Sequence, residues 1–429
     1  MKPHPMDLLV EAQVAGINRG MTSVCSAHSS VLAQTLGHSV EGDNVVLIEA
    51  TCNQVNQDGG YTGMRPADFR RLVEGLTQAS GIDPARILLG GDHLGPNPWR
   101  DMPAGAAMDR ASRMVHEYVA AGYSKIHIDT SMKCADDSTD GPLPQSVIAQ
   151  RAAQMASVAE NSAQNSDGPV MPRYVIGTEV PVPGGAHLGD GGIHVTNPED
   201  VAETVAMTRA AFLDERLMAA WDRVRAVVAQ PGVEFSDTEL HEYDHDSAVD
   251  LARYAESQSA FVFEAHSTDY QTASSLRQLV DDHFAVLKVG PALTFAYREG
   301  IFALSHIEDV LLGDSASHVR KVLDQAMLAN PGYWQSFYPT DPDRQRIARQ
   351  FSRSDRSRYY WSEPTVSQAV TQLLSNLRDM PLPQELVSQY LPVQHKRIRA
   401  GTLLPDPELM AQDKVREVLD DYLTATCET

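Results

Sequence analysis

The stretch LLGGDHLGPN, residues 88–97, decides how this chain is read. Two leucines and two glycines run straight into Asp92 and His93, and Gly95 and Pro96 end the run at once. An acid and an imidazole left unpaired behind buried residues would each cost a few kcal/mol, so the pair needs partners or a task. Either it closes a buried strand and faces a reaction, or it is a charged turn without a role.

The surroundings favour the strand. Eight short apolar runs share this design: TSVCSAH from Thr22, VVLIEAT from Val45, RILLGGDH from Arg86, KIHIDTS from Lys125, RYVIGTEV from Arg173, VRAVVAQPG from Val224, AFVFEAH from Ala260 and FAVLKVG from Phe284. Between them lie stretches with apolar residues at helical spacing, such as PADFRRLVEGLTQASG from Pro66 and AAMDRASRMVHEYVAAG from Ala106. Pro66 suits a first helical turn, and Gly81 and Gly122 suit the position just past a helix. Continuous apolar strands alternating with helices imply a parallel sheet covered on both faces. Eight repeats are the number a closed (β/α)8 TIM barrel requires; a doubly wound open sheet is the rival. Beyond Leu312 the strand signal vanishes, and helical segments separated by PGYW, PTDP, MPLP and LPDP follow. The expected organisation is therefore a barrel over 1–312 and an all-helical C-terminal region over 313–429.

Asp and Glu number 57 against 35 Lys and Arg, a formal charge of −22, so phosphate backbones and anionic lipid are repelled and nucleic-acid or membrane partners are not expected. The four cysteines, Cys25, Cys52, Cys134 and Cys427, show no paired spacing, as in reduced cytoplasmic proteins. No apolar run approaches the length of a membrane span, and the first residues do not read as a secretory leader. A cytoplasmic location is expected.

In a parallel barrel the chemistry gathers at the C-terminal strand ends, where the loops surround one mouth. Polar residues end each of the eight runs. They are Cys25 and His28; Glu49 with Asn53 and Gln54; Asp92 and His93; Asp129; Glu179; Gln230 and Glu234; Glu264, His266 and Asp269; and Lys288 before Gly290. One such residue is an ordinary loop cap, but eight strand ends of this kind describe a shared polar cavity. His93, Glu179 and His266 are the expected ligands of a divalent metal, zinc or a similar ion. Asp92 is the expected general acid or base, faced by Glu264 or Asp129. Structural roles, with carboxylates holding loop amides or the buried Lys288, remain the alternative. Glu49, Asn53, Gln54, Lys288 and Gly290 are expected to bind substrate, Gly290 as the start of a phosphate-binding helix of the kind barrels place after their last strands. NQDGGYTGM from Asn56 reads either as a loop over the mouth or as a tight turn. Cys25 reads as a small buried hydrophobe rather than a nucleophile. Arg344, Arg346, Arg349, Arg353, Arg356 and Arg358 crowd one segment; a solvated helix face explains them better than a phosphate clamp.

The same residues carry a family resemblance. EATCNQVNQDGGYTGM, ILLGGDHLGPNPW, SKIHIDTSM, YVIGTEVPVPGG, VVAQPGVEF, EAHSTDYQT, LKVGPALTFA, SRYYW and SQYLP closely resemble the GatZ/KbaZ family, the large subunit of class II D-tagatose-1,6-bisphosphate aldolase, over nearly the whole chain. The resemblance implies a TIM barrel with a helical extension, acting in galactitol, N-acetylgalactosamine or tagatose breakdown. The subunit is usually described as non-catalytic, supporting a smaller class II aldolase subunit. Related proteins are metal-dependent 4-epimerases of fructose and tagatose or their 6-phosphates. The Asp92–His93 pair also looks like the strand-end pair of catalytic class II aldolases, in which the His binds zinc and the Asp handles protons. Some members are labelled tagatose-6-phosphate kinase, yet no loop here cradles ATP, so kinase chemistry is not expected. The implied partners are a ketose or ketose phosphate and a smaller aldolase subunit; homo-oligomerisation is compatible with all of this.

Overall fold

The structure is a computed structural model that describes residues 3–40, 44–138, 141–165, 170–177 and 193–427. Ten strands occur among them: β1 (Met21–Val24), β2 (Val46–Thr51), β3 (Ile87–Leu94), β4 (Lys125–Ile128), β5 (Arg173–Gly177), β6 (Val224–Val228), β7 (Glu234–Phe235), β8 (Leu240–His241), β9 (Val262–Ala265) and β10 (Val286–Val289). Eight of these close a barrel in the order β1-β10-β9-β6-β5-β4-β3-β2, every pairing parallel. The open sheet is thereby excluded. β7 and β8 form a two-stranded antiparallel hairpin beside the mouth, so Glu234, expected at the end of the sixth barrel strand, stands outside the barrel sheet.

Alternation along each strand sorts its residues between two cores. Outward residues such as Ile126 and Ile128 pack under the helical ring, while inward ones stack in layers. The lowest inward layers are apolar: Met21, Leu47, Leu88, Val175, Val262 and Val286 meet Met6, Leu9 and Val10 of the helix Pro5–Val14, which plugs the barrel bottom. Two residues further along the same faces come Ser23, Glu49, Gly90, Glu264 and Lys288, joined by Lys125 at the start of β4, and the interior turns from hydrocarbon to charge.

The glycines of the opening stretch now have reasons. A Cβ on Gly90 would sit 2.8 Å from Glu49 Cγ, so the missing side chain lets the Glu49 carboxylate lie across β3. A Cβ on Gly95 would stand 1.6 Å from the Asp129 carbonyl oxygen; only glycine lets the two backbones approach there.

The helices after Leu312 fold back onto the barrel. The helix Pro407–Thr426 packs against the helices Ser29–His38, Ala273–Asp281 and Pro291–Leu312, over the seam between β1 and β10. Thr426 O accepts the Gly20 N–H at 3.1 Å, and Tyr422 Oη donates to Thr268 O at 2.8 Å. No helix among the described residues is long and apolar enough to cross a membrane.

Candidate metal centre at the barrel mouth

The floor of the site is an ion-paired layer. Lys125 Nζ reaches Glu49 Oε1 at 2.6 Å and Glu264 Oε2 at 2.7 Å, and Ser23 Oγ donates to Glu49 Oε1 at 2.5 Å. Lys288 pairs with Asp92 and lies 3.4 Å from Glu264 Oε1 and 3.7 Å from Glu49 Oε2. Burial opposes charge on Glu264, Lys125 and Lys288. The facing opposite charges outweigh it, holding Glu264 well below the usual carboxylate range and pushing both lysines up.

Above this floor three imidazoles form a triangle, with ring centres 4.9 Å (His93–His266), 5.0 Å (His93–His127) and 5.2 Å (His127–His266) apart. Asp92, His93, His127 and His266 are all buried, and each offers a ligand atom within 4.8 Å of the others. Each ring is held by a carboxylate on one nitrogen. His93 Nδ1 meets Asp129 Oδ2 at 2.9 Å, His127 Nδ1 meets Asp92 Oδ1 at 2.8 Å and His266 Nε2 meets Glu264 Oε1 at 3.0 Å. Asp129 is itself fixed by the Ser131 hydroxyl and amide. Backing of this kind sets the tautomer and aim of metal-ligating histidines. The test of fit is His127 Nε2, a buried nitrogen without a hydrogen-bond partner among the described residues. A cation at the triangle would satisfy it; an apolar core would not.

The electrostatics suit a cation too. Burial pushes His127 down and takes His266 down to about 3, with Lys288 adding to the latter, so both rings are neutral at neutral pH. Burial also acts against charge on His93, but Asp92 and Asp129 outweigh it and raise that ring. Burial works against ionised Asp92 as well, yet His93 and Lys288 beside it keep the carboxyl well below its ordinary value. His93 adopts φ 48°, a left-handed conformation uncommon for a non-glycine residue and typical of functional sites.

The predicted residues separate by depth. The mouth cavity, about 80 Å³, is lined by Asp92, His93, His266, Lys288, Asn53, Gln54 and Gly290. Glu49 and Glu264 are fully buried in the layer beneath it, and Asp129 stands behind His93. Spacing along a strand gives the face of a residue, not its height above the floor, so these three looked equivalent to the lining residues. Gln54 spends its side chain on the backbone, accepting from Thr51 N–H and donating to Cys25 O. Gly290 does begin a helix, Pro291–Leu312, but Asp269 Oδ1 already accepts the Gly290 and Ala292 amides, so a phosphate there would have to displace that carboxylate. Glu179 lies outside the described residues. Burial pushes the Cys25 thiol up, which removes the thiolate a nucleophile needs. The glycine-rich segment is a hydrogen-bonded turn, Gly60–Thr62, presenting Tyr61 to the mouth.

Sequence reasoning missed His127 and Lys125. Both sit in KIHI, where strict alternation puts Lys and His on one face and two isoleucines on the other, a signal that was there to find. The solvated-face reading of the arginine segment is corrected. Arg344 and Arg346 are exposed, but Arg349 is buried against Asp324 and Arg356 is buried over the Phe337 ring. Arg358 reaches the mouth. The buried Asp355–Arg298 pair, at 2.6 Å, pins this segment to the helix after β10, and periodicity alone cannot reveal such a tether.

A closed parallel barrel with polar side chains converging on its C-terminal mouth defines a TIM-barrel protein with its candidate site in the usual place. The chain belongs to the D-tagatose-1,6-bisphosphate aldolase subunit GatZ/KbaZ-like family, whose model matches residues 6–427. It is 48% identical over 418 residues to the D-tagatose-1,6-bisphosphate aldolase subunit GatZ of Salmonella typhimurium, covering 97% of this chain and 98% of that one. It is 48% identical over 415 residues to the corresponding GatZ subunit of Klebsiella pneumoniae, covering 96% and 97%. A crystal structure described as a probable tagatose 6 phosphate kinase from Sinorhizobium meliloti superposes with a TM-score of 0.86 at 43% identity, covering 95% of this chain and all of that one.

Proposed function

We propose that this chain is a component of D-tagatose-1,6-bisphosphate breakdown in carbohydrate catabolism, acting at its barrel mouth on a ketose phosphate with a divalent metal, zinc being the ion its donors suit best. The observation that carries the reading is the triangle of His93, His127 and His266, each backed by a carboxylate, with His127 Nε2 buried and without a partner among the described residues. His93, His127 and His266 would hold the ion, with Asp92 beside them. When bound, the metal supplies Lewis acidity toward a ketose carbonyl and its neighbouring hydroxyl.

The chain's own groups do the rest. Asp92 is ionised at neutral pH and lines the cavity, so it accepts the hydroxyl proton of the bound sugar. Lys288 steadies that carboxylate from below, while Glu264 and Asp129 position His266 and His93 without touching substrate. Removing a C4 hydroxyl proton initiates C3–C4 cleavage. The same event followed by re-addition to the other carbonyl face inverts C4, which is the alternative, stand-alone epimerase reading for fructose and tagatose or their 6-phosphates. The complete carboxylate backing of the histidines favours an operating site over a vestigial one. A smaller aldolase subunit is the proposed partner, because the GatZ relatives are named as subunits, and the proposed location is the cytoplasm.

One comparison tests the reading. The purified chain with zinc or manganese is followed with fructose 6-phosphate and tagatose 1,6-bisphosphate by NMR. Metal-dependent cleavage or epimerisation by the chain alone supports an active mouth. Product that appears only with the small subunit, and survives loss of His127, leaves the assembly role and removes the catalytic one.

A further inference from the structure

The helix after the last barrel strand is an ordinary place for a phosphate, and this chain fills that place with a carboxylate of its own. Asp269, 3% exposed, sits in the loop after β9. Its Oδ1 accepts the Gly290 amide at 3.0 Å and the Ala292 amide at 2.8 Å, where the helix Pro291–Leu312 begins. The residue also lines the mouth cavity, together with Asp92, His93 and His266. We propose that Asp269 selects the substrate: it admits ketoses with a free hydroxyl on the carbon beside the metal-facing carbonyl and rejects those phosphorylated there. The inference rests on the reading of an active mouth and narrows it to sugars whose phosphate lies at the far end.

The first argument is reach. In a 2-ketose the short side of the carbonyl is the single carbon C1. The histidines and Asp269 share the wall of one space of about 80 Å³, so a carbonyl held at the triangle brings its C1 substituent against Asp269.

The second is charge. Burial, working against the two amides and the facing Arg358, lifts Asp269 to about 6, so the carboxyl is ionised above that pH. Burial pushes the nearby phenols of Tyr270 and Tyr422 up, and both stay neutral. An ionised carboxylate only accepts hydrogen bonds. A sugar hydroxyl donates one, whereas a phosphate dianion brings acceptors and like charge.

The third is rigidity, since a carboxylate that could swing aside would select nothing. Ser267 and Tyr270, on either side of it in the loop, hold left-handed φ values of 54° and 65°. Between them Thr268 Oγ1 donates to Lys288 O at 2.7 Å, and Thr268 O accepts from Tyr422 Oη at 2.8 Å. The loop is thereby tied both to β10 and to the helix Pro407–Thr426.

The test uses the full-length protein at pH 8, where Asp269 is ionised. In one arm the metal-free protein is titrated with sulfate at constant ionic strength and read by calorimetry. The parent should show no saturable binding and Asp269→Gly, which frees both amides, should gain it. In the other arm the zinc-loaded parent should bind fructose 6-phosphate about tenfold or more tighter than fructose 1,6-bisphosphate, which differs only at C1. Asp269→Asn keeps an oxygen for the amides and loses the charge, so it guards against a variant that merely fails to fold; the ratio should drop about fivefold or more. A ratio unchanged in Asp269→Asn, or equal sulfate behaviour of the parent and Asp269→Gly, overturns the proposal and leaves Asp269 a helix cap. Failure of the zinc-loaded parent to bind either sugar sinks the ketose reading instead, and a sulfate gain in Asp269→Gly then still marks Asp269 as the group that keeps anions off this helix.

Discussion

The two ends of the barrel interior are built from the same strands and obey opposite rules. At the bottom, Met6, Leu9 and Val10 insert among the inward aliphatic side chains, and the polar groups nearby are matched. Asp7 meets Arg173 and Arg225, while His4 caps the plug helix through the Met6 amide and reaches Ser124 Oγ at 3.2 Å. At the top the inward positions carry charges and imidazoles, one of them with a nitrogen left unpaired. The bottom is packed hydrocarbon; the mouth holds its buried charges by mutual pairing and leaves His127 Nε2 without a partner among the described residues. The contrast predicts that the two ends can be damaged independently.

The largest effect is expected at the bottom. Met6→Ala, at a fully buried plug position, should lower stability by about 2–5 kcal/mol, measured by chemical denaturation, with metal affinity intact. Loss of the metal site in that variant would break the comparison. Next, His127→Ala should weaken zinc binding by about 100-fold or more in a chelator competition, with a smaller loss of stability than Met6→Ala because Asp92 keeps Lys288 as a partner. A large loss of stability instead would make the mouth an ordinary polar core.

Acid sharpens the contrast. Burial and the neighbouring Arg173 depress His4 to about 4 from its ordinary 6.5, so its contribution is fully present above pH 6.5 and disappears as pH falls through about 4. Denaturation across that range should show a loss of about 2–3 kcal/mol that His4→Asn reduces. A pH profile unchanged by the substitution would contradict this. The smallest effect is second-hand. Asp129→Asn, which keeps the shape but not the charge behind His93, should cost about tenfold in metal affinity and almost nothing in stability.

How much of this could be read beforehand follows from what repeats along a chain. Strand and helix alternation repeats, so the eight runs and the barrel were legible, as was the convergence of Asp92, His93 and His266. Height above the barrel floor does not repeat, and so the pattern sets Glu49 and Glu264 beside the lining residues although they lie beneath the cavity. His127 was hidden in plain alternation, because the eye follows the acid at the end of KIHID rather than the imidazole within it. Arg358 was misread because its position depends on Asp355 finding Arg298, a contact between distant residues that no local pattern encodes.

The helix Pro407–Thr426 seals the place where the barrel's beginning and end meet, yet it is made long after both β1 and β10. During synthesis the ring therefore stands with its closing seam uncovered while more than a quarter of the sequence is still to come, and the nascent chain must be shielded from wrong pairings until that late clasp arrives.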